Sequence, residues 1–209
     1  MDLKILQNLF QAFEPDEALR QKALEELAPD RSLHYPQEKI DRARKAGVLL
    51  NVFQDTDGLY FTLIERPRYE GVHSGQIALP GGKAENFDQD IIATAVREAH
   101  EEVNIHPKAV QVITSLPSIY IPPSNFLVTP VLSFCTERPD FKADPREVHS
   151  IIQVPLRDLL REPIISSTTV ELKGGFKLKT NYLAIQDKIV WGATAIILND
   201  FRHHLKTVF

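Results

Sequence analysis

The sequence predicts a mixed α/β fold (α+β in character), and three observations carry that prediction. Apolar runs at 48–53 and 59–64 flank Asp57-Gly58, and glycine accepts the positive φ that a tight hairpin requires. From Asp88 to Val103, apolar residues fall at Ile92, Ala95, Val96, Ala99 and Val103. Steps of three and four residues place them on one face of a helix. Further strand-like runs then follow with few helices between them and no regular strand–helix–strand repeat.

Taken in order, residues 1–46 read as a helical extension and residues 47–209 as the main domain. Leu3, Leu6, Leu9, Phe10 and Phe13 form one apolar stripe, and Ala18, Ala23, Leu24 and Leu27 form a second after Pro15. The extension carries no chemistry-bearing cluster, so a packing or dimerisation role is expected, with a homodimer as the corresponding assembly. The hairpin follows, and then the helix from Asp88. Strands recur at 109–115, 126–134 and 151–154, with a short helix at 156–160. Gly174-Gly175 marks another hairpin, and Asp187-Lys188 the turn of a last strand pair. A closing helix starts near Ala193 and carries Ile196, Ile197 and Phe201 inward.

Composition narrows the function. The chain has 209 residues, 43% hydrophobic and 25% charged, which suits a soluble domain with a sizeable core. A net charge of −4 offers no global attraction to nucleic acid or to a membrane surface, and neither is an expected partner. One cysteine, Cys135, excludes an intrachain disulfide framework and is expected to be a buried structural residue. Without a signal-peptide pattern or a run of membrane-spanning length, cytoplasm is the expected compartment.

The chemistry concentrates around the predicted helix. Glu98, Glu101 and Glu102 stand at i, i+3 and i+4, so they share a patch apart from the apolar stripe. Like charges at that spacing cost roughly 0.2–0.5 kcal/mol per pair. A divalent cation reverses the sign of that cost, and an oxygen-rich site of this kind suits Mg2+ or Mn2+. A bare acidic run is otherwise a solvated face. The glycine turn Gly81-Gly82-Lys83, at a fixed distance upstream, favours the metal site over the solvated face.

The segment 82–105 resembles the Nudix box of nucleoside-diphosphate-linked hydrolases. Gly82, Arg97, Glu98, Glu101, Glu102 and Ile105 match its pattern. Asp88 occupies the first Glu position, one extra residue precedes Arg97, and Asn104 stands where Gly is usual. Asparagine tolerates the left-handed conformation that ends a helix. The extra residue, Asp88, and the lead-in at 73–83 are similar to the coenzyme A pyrophosphatase branch. Arg66, Gly75, Pro80, Gly81 and Gly82 match that branch's upstream signature, whereas Pro67, Gly71 and Leu79 depart from it.

The resemblance implies a mixed sheet between helices, a Nudix-like α/β/α sandwich. It implies hydrolysis of the pyrophosphate bond of coenzyme A or a derivative, giving 3′,5′-ADP and 4′-phosphopantetheine, with Mg2+ or Mn2+ as cofactor. Hydrolysis of ADP-ribose, NADH or a nucleoside triphosphate, and non-catalytic nucleotide sensing, are the alternatives. Glu98, Glu101, Glu102 and the Gly82 backbone carbonyl become the expected metal ligands. Arg97 is expected to orient a box glutamate or the glycine turn. Glu147 is a candidate general base, beside the reading of a strand-edge surface residue. Arg66 and Lys83 are candidate phosphate contacts, Lys83 beside the reading of a solvent-exposed loop residue, and Tyr120 or Phe126 a stacking surface for adenine, Phe126 beside the reading of a core residue. Asp88 and Asp90 are expected to cap the helix, and His73 and His149 to be loop residues rather than ligands.

Overall fold

The computed structural model describes residue 8 and residues 16–28, 34–67, 75–171, 175 and 177–207. The stripe from Leu3 to Phe13, and the positions of Gly71, His73 and Gly174, lie outside the described residues. Among the described residues, the α-helices whose bounds are defined are α1 (Glu17–Leu27), α2 (Gln37–Asp41), α3 (Ile91–Val103) and α4 (Gly192–Leu205). The strands of the main sheet are β1 (Arg44–Asp55), β2 (Gly58–Glu65), β3 (Ile77–Ala78), β4 (Gly81–Lys83), β5 (Gln111–Ser115), β6 (Ile119–Ile121), β7 (Phe126–Cys135) and β8 (Ser150–Pro155). A separate antiparallel sheet holds β9 (Ile165–Glu171), β10 (Lys177–Ile185) and β11 (Lys188–Val190).

Leu49, Leu50, Val52 and Phe53 of β1 are all fully buried, the signature of a central strand covered on both faces. The expected hairpin joins β1 to β2, but Thr56-Asp57 make its turn, and Gly58 already lies in the ladder opposite Asp55. On its other side β1 runs parallel to β7, so the sheet is mixed. β4 pairs with the first half of β1, and β8 pairs with β2.

Alternation along β1 sorts the core into two layers. Leu49, Phe53, Ile64 and Val131 meet Ala95, Ala99 and Val103 of α3 on one face. Leu50, Val52, Phe61 and Leu132 meet Leu24 and Leu27 of α1 and Ile196, Ile197 and Phe201 of α4 on the other. The architecture is therefore a mixed sheet between helices, the arrangement that the resemblance implies. β1 begins at Arg44, so the strand crosses the residue-46 boundary drawn from hydropathy.

Leu156–Leu160 is the expected short helix, of the 3-10 type that short connecting pieces commonly take. Two local expectations need correction. Ala18 is exposed, and the buried face of α1 consists of Ala23, Leu24 and Leu27. The run at 109–115 is a 3-10 turn at Pro107–Ala109 followed by β5, because Pro107 starts a tight turn instead of a strand. No helix among the described residues is long and apolar enough to cross a membrane.

α1 is fixed to the core by polar bonds as well as by leucines. The fully buried Asn199 donates from Nδ2 to the Ala23 carbonyl (2.9 Å) and to Glu26 Oε2 (2.8 Å), and its Oδ1 accepts from Arg202 Nη1 (3.1 Å). Asn199→Ala leaves those groups unpartnered in the interior. It should cost about 2–3 kcal/mol in a urea unfolding titration.

Candidate metal centre

The site begins with two glycines. Gly81 and Gly82 pair with Val48 and Gly47 in the β4–β1 ladder, which carries the backbone beneath the middle of α3. Gly81 holds φ at +152°, and its N–H donates to Glu102 Oε2 at 2.8 Å. At Gly82 a methyl group would stand 2.5 Å from the Glu98 carboxyl carbon. The missing side chain is what lets that carboxylate close on the turn.

Arg97 ties the arrangement together. Its Nε and Nη2 grip Asp88 at 2.8 and 2.9 Å, and its Nη2 also reaches the Lys83 carbonyl at 3.2 Å. Nη1 donates to Glu98 Oε1 at 2.8 Å and to Glu101 Oε2 at 3.1 Å. Arg97 thus binds both the glycine turn and a box glutamate. The guanidinium beside Asp88 holds that carboxyl well below the usual carboxylate range. Of the two expected caps of α3, Asp90 caps it by accepting from Ala93 N–H at 2.8 Å, and Asp88 does not. Asp88 is instead the anchor of Arg97, and capping and anchoring draw on the same residue type. Lysine cannot reproduce the planar fork. Arg97→Lys should lower turnover by about 10–100-fold with the fold retained, read by circular dichroism and a steady-state assay.

The carboxylate cluster differs from the helix patch expected from spacing alone. Glu98, Glu102 and Glu147 each offer an oxygen, and the three atoms lie within 4.8 Å of one another. Glu101 is outside this group, its side chain 57% exposed and held by Arg97. Glu147 reaches the site because its loop is fastened to α3 and β2. Asp144 N–H donates to the Glu102 carbonyl (2.9 Å), and His149 N–H donates to the Glu65 carbonyl (2.8 Å). The sequence signal for Glu147 was only its place before an apolar strand, and the β2–β8 pairing is what brings it in.

Burial raises the cost of charge here. Desolvation, reinforced by Glu98 and Glu147, pushes the Glu102 carboxyl up to about 7, against the pull of Arg66 and the Gly81 N–H. Burial also raises Glu98, opposed by Arg97. Three carboxylate oxygens converging on a partly desolvated corner, with a glycine backbone beside them, fit a hard divalent cation.

The candidate substrate contacts divide. Arg66 turns inward, with Nη2 3.9 Å from Glu102 Oε1 and 3.5 Å from the Gly81 carbonyl. Lys83 projects outward and pairs with Glu85 at 3.4 Å. Tyr120 donates to Asn125 Oδ1 (2.9 Å) and meets the Tyr35 ring edge-on. Phe126 lies under the Arg44 guanidinium, 4.1 Å from its ring centre. These two aromatics are already engaged with protein groups. His149 is exposed and contributes its backbone N–H. Asn104 ends α3 in the left-handed conformation, φ 60° and ψ 31°, as its residue type suggested.

Comparison with known proteins finds similar sequences and a similar fold. Residues 41–169 match the NUDIX domain. The chain is 34% identical over 164 residues to "Nudix hydrolase 15, mitochondrial" of Arabidopsis thaliana, covering 75% of this chain and 57% of that protein. It is 32% identical over 171 residues to "Uncharacterized Nudix hydrolase NudL" of Photorhabdus laumondii, covering 82% of this chain and 90% of that protein. In fold it is similar to a Nudix hydrolase from M. smegmatis, RenU, with a TM-score of 0.56 at 17% identity, over 80% of this chain and 88% of that one.

Proposed function

Since this chain belongs to the Nudix hydrolase family, we propose that its carboxylate corner hydrolyses the pyrophosphate bond of a nucleoside diphosphate derivative with a divalent cation, Mg2+ or Mn2+. The observation that carries this reading is the convergence of Glu98, Glu102 and Glu147 within 4.8 Å. When bound there, the cation would neutralise phosphate oxygens and acidify a water. The chain's own groups do the rest. The Gly81 N–H and Arg97 fix the Glu102 and Glu98 carboxylates in place. The Gly82 carbonyl, opposite Gly47 in the β4–β1 ladder, is the further ligand that the family resemblance implies. Glu147, exposed and without a side-chain hydrogen bond among the described residues, offers one carboxylate oxygen to the cluster with Glu98 and Glu102 and keeps the other to accept the proton of the attacking water.

The finer reading is coenzyme A or a derivative as substrate, cleaved to 3′,5′-ADP and 4′-phosphopantetheine. It rests on the likeness of the segment 73–83, Asp88 and the extra residue before Arg97 to that branch. Cytoplasmic placement rests on a single cysteine, Cys135, whose thiol is buried and pushed upward by that burial. The test is an assay of the purified chain with Mg2+ and then Mn2+ against coenzyme A, ADP-ribose, NADH and nucleoside triphosphates. Coenzyme A species are expected to be turned over best. Preference for another substrate removes the finer reading, and tight nucleotide binding without any hydrolysis replaces the enzyme with a sensor.

A further inference from the structure

The second sheet reaches the strands that carry the site through one hairpin. Gln186 and Asp187 turn β10 into β11 with φ of 46° and 61°, and β11 lies beside β3. Gln186 Nε2 donates to the Gln153 carbonyl at 3.0 Å, and Lys188 Nζ donates to Glu65 Oε2 at 2.8 Å. Leu183, Ile185 and Val190 of the hairpin share a core layer with Leu63 of β2 and Ile152 of β8. The hairpin is therefore seated on the β2–β8 ladder by packing and by an ion pair.

Glu65 is where this hairpin meets the Glu147 loop. The Glu65 carbonyl accepts from the His149 N–H at 2.8 Å, and its Oε2 accepts from Ser150 Oγ at 3.3 Å. Upstream, the loop folds back on the Asp144 carbonyl, which accepts from the Glu147 and Val148 N–H groups at 3.1 and 2.8 Å. Glu147 is thus held between Asp144, which is bonded to α3, and Glu65 on β2. The Glu65 side chain is only 13% exposed, so its pair with Lys188 is screened less than a surface pair. The ammonium beside it holds the Glu65 carboxyl below the usual carboxylate range.

We propose that Glu65 and Lys188 are positioning residues for the general base, keeping the Glu147 carboxylate against Glu98 and Glu102. The assignment rests on the hydrolase reading of that corner. Lys188 fixes the Glu65 side chain, Glu65 fixes Ser150 and His149, and these set where the Glu147 loop ends. Without the ammonium, a partly buried carboxylate loses its charge partner and turns toward water, releasing Ser150.

Lys188→Met keeps most of the side-chain stem and removes the charge. In the metal-free full chain, amide exchange followed by NMR should be about tenfold faster at Val148 and His149, with the amides of α3 unchanged. Lys188→Arg should restore wild-type exchange, and Glu65→Gln should repeat the effect of Lys188→Met. On the best substrate, Lys188→Met should lower kcat about tenfold with KM within about twofold. In a Glu147→Gln background the same substitution should change kcat by less than about twofold, because the group it positions is gone. Unchanged exchange at Val148 and His149 overturns the positioning role whether or not the chain is a hydrolase. An equal loss of kcat with and without Glu147 also overturns it, since the pair then serves the fold at large. Faster exchange in a chain that hydrolyses nothing leaves the fastening of the loop in place and removes the hydrolase reading.

Discussion

Replacing Glu102 by glutamine should lower metal-dependent turnover by about a thousandfold or more while the protein stays folded. The amide keeps the volume and one acceptor for the Gly81 N–H, so the turn geometry survives. What it removes is a negative charge at the most deeply buried point of the carboxylate corner, where Glu102 is 2% exposed. Charge placed in a desolvated site acts more strongly than in water, which is why the expected loss is large. The same substitution should raise the stability of the metal-free protein. The folded carboxyl sits at about 7, above its ordinary 4.5, so ionisation opposes folding. This group's contribution is fully present below about 4.5 and is lost as pH rises through about 7. The melting temperature of Glu102→Gln should therefore exceed that of wild type increasingly across this window in chelator. Added Mn2+ should narrow the gap by stabilising only the wild type. Wild-type turnover in Glu102→Gln would remove Glu102 from the site.

Gly81→Ala should be the most damaging small substitution for the fold around the site. The new methyl would stand 2.4 Å from the Gly47 carbonyl oxygen and 2.5 Å from Val48 Cα. Both are backbone atoms of the central strand and cannot swing aside. The φ of +152° adds conformational strain for any residue with a side chain. A loss of about 3 kcal/mol or more is expected in denaturant titration, with turnover falling as the Gly81 N–H leaves Glu102. At Gly82 the outcome should differ, because alanine there meets the end of the Glu98 side chain. Gly82→Ala should keep most of its stability and lose activity. Equal stability of wild type and Gly81→Ala would mean that the β4–β1 approach is looser than described.

The parts of the site that were legible in the sequence are those encoded within a few residues of one another. Ala95, Ala99 and Val103 are buried as their spacing requires, and the glycine turn meets the helix at Glu98 and Glu102. Periodicity alone could not divide the three glutamates. Glu101 shares a helix face with Glu98, but the turn lies on one side only, so Glu101 remains in solvent. The place of Glu147 beside Glu98 and Glu102 was not legible because it depends on strands paired far apart in sequence, Ile64 with Ile151 and Glu65 with Ser150. The parallel pairing of β1 with β7 is likewise invisible in local patterns. The sequence left Tyr120 and Phe126 open to stacking or, for Phe126, packing, because their neighbours, Tyr35 and Arg44, come from the segment before and at the start of β1.

The central claim is that a carboxylate from a separate loop completes a hydrolytic site begun by the glycine turn and α3. Steady-state turnover of the preferred substrate by Glu147→Gln, at saturating Mn2+, tests it most directly. The arrangement predicts a fall in kcat of about a hundredfold or more with the fold intact, as expected for loss of a positioned general base. A kcat within about twofold of wild type would contradict it and return Glu147 to the protein surface.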